Sequence, residues 1–216
     1  FANEQLKLYA ITDRSWLAGE TLMEQVEKAL KGGATMIQLR EKHLDEAAFL
    51  QEAEAMLELC HRYQVPLIIN DRVEVAKKVG ADGVHVGQSD MQLARAREIL
   101  GEEAIIGVTA KTVAQAKAAE AGGATYLGSG AVFGTSTKTD AKAMTLDLFQ
   151  EICESVSIPV VAIGGIQEHN IEELAGRKMT GFAIISGIFA SDDIEAQTKL
   201  LLQKANQLVT GHNLCN

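Results

Sequence analysis

The sequence has few prolines, few cysteines and no excess of positive charge. It contains two prolines and three cysteines among 216 residues. So little proline in an apolar chain argues against a disordered segment of any size. Cys60, Cys153 and Cys215 are odd in number, far apart and without a CxxC pair. They therefore argue against a disulfide framework or a zinc site, and Cys60 and Cys153 are predicted to be packing residues.

Long apolar runs are also missing. No apolar stretch approaches the ~20 residues that cross a membrane, and no charged-then-apolar leader opens the sequence. We therefore expect a cytoplasmic protein that does not bind membranes. The formal net charge of −9 argues against long-range attraction to nucleic acid. If the ligand is itself an anion, a few residues or a metal must concentrate positive charge locally.

Apolar residues make up 47% of the chain and recur in a strand-helix order. The predicted strands are residues 6–11, 34–39, 65–69, 83–86, 104–108, 125–128, 158–163 and 181–185. The predicted helices are residues 21–30, 45–62, 73–79, 91–100, 112–121, 145–156, 168–175 and 192–209. Strict alternation implies a parallel sheet, and eight units of about 25 residues each imply a closed (β/α)8 TIM barrel. No composition shift divides residues 1–216, so we expect a single domain.

A polar cluster, Gln38-Leu39-Arg40-Glu41-Lys42, follows the second predicted strand directly. Arg40 and Lys42 are two positions apart, so in an extended chain they point to the same side and can grip one polyanion. A solvated charge cluster is the plainer alternative. The barrel favours the first interpretation, because the carboxyl ends of its strands meet at one catalytic face.

Other polar residues fall at the same ends of neighbouring strands, notably Asn70, Asp71, Asp90 and Thr109. Asp71 could instead cap the third helix, and residues 89–92 fit a capping box at the fourth. Two carboxylates beside cations also suit Mg²⁺, which binds few protein carboxylates and takes other ligands from water and substrate phosphates. Together they favour a magnesium site.

Two loops further along suit phosphate. Residues 134–138 offer hydroxyls and a lysine after strand six but lack P-loop spacing, so a solvated turn is the alternative. Gly164-Gly165 and Ser186-Gly187 follow strands seven and eight, where barrels often hold phosphate on backbone N–H groups. His85 lies inside a strand and is predicted to be a hydrogen-bonded core histidine.

The motifs taken together resemble the thiamine phosphate synthase family. The resemblance runs in order from about residue 7 to 205 through QLREK at 38–42, IND at 69–71, HVGQSD at 85–90, GVTA at 107–110, TSTK at 135–138, IGGI at 163–166 and IS at 185–186. It implies a barrel that joins a pyrimidine diphosphate to a thiazole phosphate, releases pyrophosphate and uses Mg²⁺.

The resemblance also implies roles for individual residues. The pyrimidine diphosphate would contact Gln38, Leu39, Arg40, Glu41, Lys42, Asn70, Thr109 and Lys138. The thiazole phosphate would contact Thr135, Ser136, Thr137, Gly164, Ile185 and Ser186. Asp71 and Asp90 would hold Mg²⁺, while Arg40, Lys42 and Lys138 would neutralise the departing pyrophosphate. Thr109 stands where the family more often has Ser, and the hydroxyl is kept.

Two other functions stay open at this point. One is that of a related thiazole tautomerase-like paralogue, an isomerase with one phosphate ligand and no metal. Retention of Arg40, Lys42, Asp71 and Asp90 argues against it. The other is a non-catalytic binder that keeps the pocket. The sequence leaves the oligomeric state open, with a homodimer as one option.

Overall fold

Eight parallel strands form a closed barrel in the computed structural model, which describes residues 1–134 and 143–209. The strands are β1 (Leu8–Ile11), β2 (Met36–Leu39), β3 (Leu67–Asn70), β4 (Gly83–Val86), β5 (Ile105–Thr109), β6 (Tyr126–Gly130), β7 (Val160–Ile163) and β8 (Gly181–Ile184). Each strand pairs with the next along the chain, and β8 closes the ring on β1 with Ala183 opposite Tyr9. The predicted (β/α)8 barrel is confirmed.

Helices follow most strands and cover the outside of the barrel. They are α1 (Leu22–Gly32), α2 (Glu46–Arg62), α3 (Val73–Val79), α4 (Asp90–Leu100), α5 (Val113–Ala121), α6 (Leu146–Ser155), α7 (Ser186–Phe189) and α8 (Ile194–Val209), with 3-10 turns at Asn3–Leu6, Arg14–Trp16 and Ile171–Leu174. No helix in the described part of the chain has the length and apolarity needed to cross a membrane.

The predicted helix at residues 168–175 is wrong, because only the 3-10 turn Ile171–Leu174 forms there. The side chain of Asn170 competes for the backbone before it: its amide donates to the Gly165 carbonyl at 2.9 Å, and its Oδ1 accepts from Gln167 N at 2.8 Å. Such side-chain bonds offer the backbone an alternative to the helix. The short helix α7 was not predicted.

Helix ends follow the predicted signals. Thr21 Oγ1 accepts from Glu24 N at 3.1 Å and the Glu24 carboxylate accepts from Thr21 N at 3.3 Å, which makes a capping box for α1. Gly33 and Gly80 end α1 and α3 with φ of 104° and 72°. Glycine adopts this left-handed region without a Cβ penalty, which explains why these two helices end there.

The core has two parts. One lies between strands and helices and includes Cys60, whose thiol pKa is raised by burial to about 12. The other fills the barrel itself and is made by Leu6, Tyr9, Ile11, Met36, Ile68, Ile105, Tyr126, Val161 and Ala183. Strands buried on both faces explain why the sequence shows short continuous apolar runs instead of alternation.

Polar side chains at the amino end of the strands tie the loops together. The Arg97 guanidinium donates to the carbonyls of Gly101, Glu102, Ala104 and Gly123 at 2.7–3.1 Å and to Thr125 Oγ1 at 3.3 Å. Glu120 accepts from the backbone N–H groups of Ser157 and Ile158 in the loop before β7. The Arg97 guanidinium and the Glu120 carboxylate therefore stabilise the fold.

Candidate functional site

Four charged side chains at the carboxyl ends of adjacent strands have no partner among the residues that the structure describes. Arg40 and Lys42 follow β2, Asp71 follows β3, and Asp90 opens α4 after β4. Within residues 1–134 and 143–209, none of the four side chains makes a hydrogen bond or an ion pair. Lys42, Asp71 and Asp90 are exposed and Arg40 is half-buried. Free charges of both signs at one barrel rim suit a ligand that carries its own charges.

The two carboxylates do not cap helices. Helix α3 begins with Arg72 at its N-cap and has no side-chain cap, and Ser89 at the start of α4 makes no cap bond either. The Asp71 cap and the capping box at residues 89–92 are therefore wrong, whereas Asp90 does lie in the first turn of α4, where a carboxylate favours the helix dipole. Asp71 instead has φ of 61° and donates its N–H to the His85 carbonyl at 2.9 Å, which joins the end of β3 to β4. A non-glycine residue in this region is held there by its surroundings.

Glu41, between Arg40 and Lys42, faces away from them. Arg14 Nε donates to Glu41 Oε1 at 2.7 Å, and the same guanidinium pairs with Glu52 on α2. Burial, and then the neighbouring Glu41 carboxylate, raise the pKa of Glu52 to about 7. Any ligand contact by Glu41 must therefore come from its backbone. The sequence analysis missed Arg14 and Glu52, because no local sequence pattern predicts an ion pair between residues far apart in the chain.

Six side chains form one continuous hydrogen-bond chain across the barrel, which we call the interior network: Asn70, Gln38, Tyr9, Tyr126, His85 and Thr109. Asn70 Nδ2 donates to Gln38 Oε1 at 2.9 Å, and Gln38 Nε2 donates to the Tyr9 hydroxyl at 2.8 Å. The two tyrosine hydroxyls lie 2.7 Å apart. His85 places Nδ1 at 2.9 Å from Tyr126 Oη and Nε2 at 3.0 Å from Thr109 Oγ1.

Two strand glycines make room for this network. A Cβ on Gly107 would lie 2.1 Å from Cζ of Tyr126, and a Cβ on Gly128 would lie 3.2 Å from Cε1 of His85. Desolvation inside the barrel lowers the pKa of His85 to about 4 and raises the pKa of both tyrosines. The prediction of a hydrogen-bonded core histidine is confirmed. Tyr9 and Tyr126 were missed, although each is a polar aromatic inside an apolar strand.

The loop after β7 is shaped by glycines. Gly164 and Gly165 have φ of 107° and 64°, and a Cβ on Gly165 would lie 2.8 Å from the Gly134 carbonyl oxygen. Asn170 holds this loop through the Gly165 carbonyl. Gln167 Nε2 donates to Ser186 Oγ at 2.8 Å, which links the loops after β7 and β8. The predicted residues Gly164 and Ser186 are therefore brought together, and Gln167 and Asn170 were missed.

The remaining predicted site residues differ in what can be said of them. Thr135, Ser136, Thr137 and Lys138 lie outside the described residues. The Leu39 side chain is fully buried in the cluster between strands and helices, so only its backbone faces the barrel rim. Ile185 packs against the cluster inside the barrel.

No group of three or more His, Cys, Asp or Glu side chains in residues 1–134 and 143–209 could hold a metal. Asp71 and Asp90 follow the adjacent strands β3 and β4, and neither side chain makes a hydrogen bond or an ion pair within residues 1–134 and 143–209. Two carboxylate side chains match the small number of protein ligands that Mg²⁺ takes beside a phosphorylated substrate.

Comparisons with known proteins agree on one family. The family model described as thiamine monophosphate synthase matches residues 8–188. A thiamine-phosphate synthase of Clostridium acetobutylicum is 45% identical over 92% of this chain and 94% of its own length. A thiamine-phosphate synthase 2 of Streptococcus pneumoniae is 42% identical over 96% of this chain and 99% of its own length. The solved structure of a thiamine phosphate pyrophosphorylase from Pyrococcus furiosus superposes with a TM-score of 0.86 and 39% identity, covering 97% of this chain and 99% of that one.

Proposed function

Because the chain belongs to the thiamine monophosphate synthase family, we propose that it forms thiamine phosphate from two phosphorylated substrates. One is 4-amino-5-hydroxymethyl-2-methylpyrimidine diphosphate and the other is a thiazole phosphate; pyrophosphate is released. The observation that carries this proposal is the set of four unpartnered charges at the rim. Two cations and two carboxylates without a partner in residues 1–134 and 143–209 support a site for a magnesium diphosphate.

The leaving group is proposed to lie against Arg40 and Lys42. Their alternate positions after β2 point both cations to one side. Arg40 offers a planar fork and Lys42 a compact charge, so they can share the oxygens of one pyrophosphate. Lys138 is proposed to complete this set. All three residues stabilise negative charge as it develops on the departing pyrophosphate.

The metal is proposed to be held by Asp71 and Asp90. Their fit rests on three observations: both are carboxylates, both are exposed, and both are free of caps and ion pairs in the described residues. Mg²⁺ bound there would supply further positive charge to the diphosphate oxygens. The backbone bond from Asp71 N–H to the His85 carbonyl fixes the chain at this position, which supports the assignment of Asp71.

The two organic groups are proposed to lie on either side of this rim. Gln38 lies near the end of β2, Asn70 ends β3 and Thr109 ends β5. These three residues would contact the pyrimidine, together with the backbone of Leu39 and Glu41. Gly164, Ile185 and Ser186, with Thr135, Ser136 and Thr137, would bind the thiazole phosphate. The close approach of the Gly164-Gly165 backbone to its neighbours, which leaves no space for a Cβ, suits anion binding by backbone N–H groups.

The proposed chemistry needs no protein nucleophile. The electron-donating amino group lets the pyrimidine lose pyrophosphate and remain as a stabilised cation, which the thiazole nitrogen then captures. The protein's task is to hold the two substrates in line and to stabilise the leaving group.

The test is formation of thiamine phosphate from the two substrates with Mg²⁺ and again with EDTA. We expect product with the metal and none with the chelator. A folded protein that makes no product would overturn the proposal in favour of the binder, and isomerisation of a thiazole phosphate without metal would favour the tautomerase-like function. Equal product in EDTA would reject the metal site alone.

We further propose that the protein works in the cytoplasm, which is supported by the free thiols of Cys60 and Cys153. The homodimer stays a prediction from the sequence.

A further inference from the structure

The interior network contains three residues, Tyr9, Tyr126 and His85, to which the proposed function gives no role. Its two ends do have one: Asn70 and Thr109 are proposed pyrimidine contacts. The middle of the network depends on specific residues, because Gly107 and Gly128 leave the space that the Tyr126 and His85 rings occupy. The barrel is thus built to connect the two ends of the pyrimidine site.

The direction of every hydrogen bond in the network follows from the Gln38 amide. Its Oε1 accepts from Asn70 and its Nε2 donates to Tyr9. The Tyr9 hydroxyl already accepts this bond, so its own hydrogen goes to its second neighbour, Tyr126. Tyr126 must then donate to Nδ1 of His85. Each hydroxyl accepts one bond and donates the next.

This direction fixes the tautomer of His85. A neutral imidazole whose Nδ1 accepts must carry its hydrogen on Nε2. Nε2 therefore donates to Thr109 Oγ1 at 3.0 Å. The Thr109 hydrogen has no acceptor among the described side chains and is left to donate to a ligand.

With the Gln38 amide oriented as it is, donating to Tyr9 and accepting from Asn70, the opposite direction fails at Tyr9. If His85 donated from Nδ1, Tyr126 would pass its hydrogen to Tyr9, which also accepts from Gln38. The Tyr9 hydroxyl would then have two donors and no acceptor in the described barrel interior. A buried hydroxyl hydrogen without an acceptor is unfavourable, because the hydrogen bond it made to water is lost and not replaced.

We propose that Tyr9, Tyr126 and His85 are positioning residues that fix the Thr109 hydroxyl as a hydrogen-bond donor, so that the site selects a ring with an acceptor nitrogen at that point. This inference rests on the proposed function. A pyrimidine has two such nitrogens, and a ring with CH in place of the one facing Thr109 offers no acceptor. Specificity for the ring would then be set in part by residues that never touch it.

The tautomer is tested first, on the ligand-free protein, by the ¹⁵N chemical shifts of the His85 ring. We expect protonated Nε2 and unprotonated Nδ1. The Nδ1–H tautomer would overturn the inference. This readout is independent of turnover: an active wild-type enzyme with the Nδ1–H tautomer rejects the inference alone, and an inactive protein with the Nε2–H tautomer rejects the proposed function alone.

The selection is tested by calorimetric binding of the pyrimidine diphosphate and of two aminopyridine diphosphates, each with CH in place of one ring nitrogen. We expect the wild type to bind one analogue about 10-fold more weakly, the effect of one lost hydrogen bond. Tyr126→Phe, which leaves the ring and removes the hydroxyl, should reduce this ratio to about threefold or less because His85 can then change tautomer. An unchanged ratio in folded Tyr126→Phe would overturn the proposal.

Thr109→Val is the matched variant at the end of the network. It should abolish the difference between the two aminopyridine analogues, since the donor itself is gone. Thr109→Ser should restore it. A difference that persists in Thr109→Val would show that another group reads the ring and would reject the assignment.

Discussion

The two ends of the barrel use charge in opposite ways. At the amino end, Arg97 donates hydrogen bonds to the loops that precede β5 and β6, and Glu120 accepts them from the loop that precedes β7. At the carboxyl end, Arg40, Lys42, Asp71 and Asp90 have no partner in the described residues. Each free charge could have been paired for stability and is not. The difference separates the residues that hold the fold from those whose charges are unpaired in residues 1–134 and 143–209.

The largest expected effect comes from Asp71→Asn at the carboxyl end. Asparagine tolerates the left-handed backbone at this position, so the fold should be kept while the charge is lost. We expect turnover to fall at least ~100-fold, as when one preorganised charge stabiliser is removed, and the free energy of unfolding to change by less than ~0.5 kcal/mol. Steady-state kinetics and urea unfolding measure the two quantities.

Glu103→Gln, an exposed carboxylate before β5 at the other end, is the matched control and should change neither quantity. We expect Lys138→Ala to slow turnover by at least ~100-fold as well. Wild-type turnover in Asp71→Asn would contradict the claim that the unpaired charge at the carboxyl end serves catalysis.

The second effect is the converse, at the amino end. Arg97→Ala removes five hydrogen bonds to loops before β5 and β6. We expect the free energy of unfolding to fall by about 2–3 kcal/mol, with a Tm lower by about 4–10 °C. At 25 °C, kcat and KM should stay within about twofold of wild type, because no rim residue is touched.

Arg97→Lys keeps the charge and loses the planar fork, so it should regain less than half of the lost stability. A large fall in kcat with unchanged stability in Arg97→Ala would contradict the claim that the amino end stabilises the fold and does not serve turnover.

A smaller effect is expected from Gly165→Ala. The new Cβ would lie 2.8 Å from the Gly134 carbonyl oxygen and 2.9 Å from that of Phe133, so the loop after β7 must shift. We expect the KM for the thiazole phosphate to rise about 10-fold and that for the pyrimidine diphosphate to change less. Gly176→Ala is the control, because it has the same sign of φ, 78°, with open space around its Cβ. Equal KM values in both variants would refute the assigned loop.

The smallest effect concerns a carboxyl-end charge that is paired, Glu52. Its pKa is raised from 4.5 to about 7, first by burial and then by Glu41. The folded state therefore holds a proton that the unfolded state loses between these values, so this contribution is complete below pH 4.5 and disappears as pH rises through 7. In Glu52→Gln, the decrease in the free energy of unfolding over this pH range should be smaller by on the order of 1–2 kcal/mol. Thermal unfolding at a series of pH values checks this; equal slopes in both proteins would contradict it.

The sequence predicted the rim better than the interior. Arg40, Lys42, Asp71 and Asp90 each follow a strand directly, so knowledge of a parallel barrel suffices to bring them to one edge. The bond between Tyr9 and Tyr126 joins residues 117 positions apart and depends on how the closed ring staggers its strands. Strand patterns do not encode that stagger. The pairing of Glu41 with Arg14 was missed for the same reason.

Gly107 and Tyr126 restrict the order in which substitutions inside this barrel can be accepted. A side chain at position 107 would collide with the Tyr126 ring, where a Cβ would lie 2.1 Å from Cζ, and a small residue at position 126 would leave an empty space inside the barrel. Either substitution alone is harmful, and only the pair together could be accommodated. The two positions are therefore epistatic, and the ring bound to His85 is hard to lose by single steps.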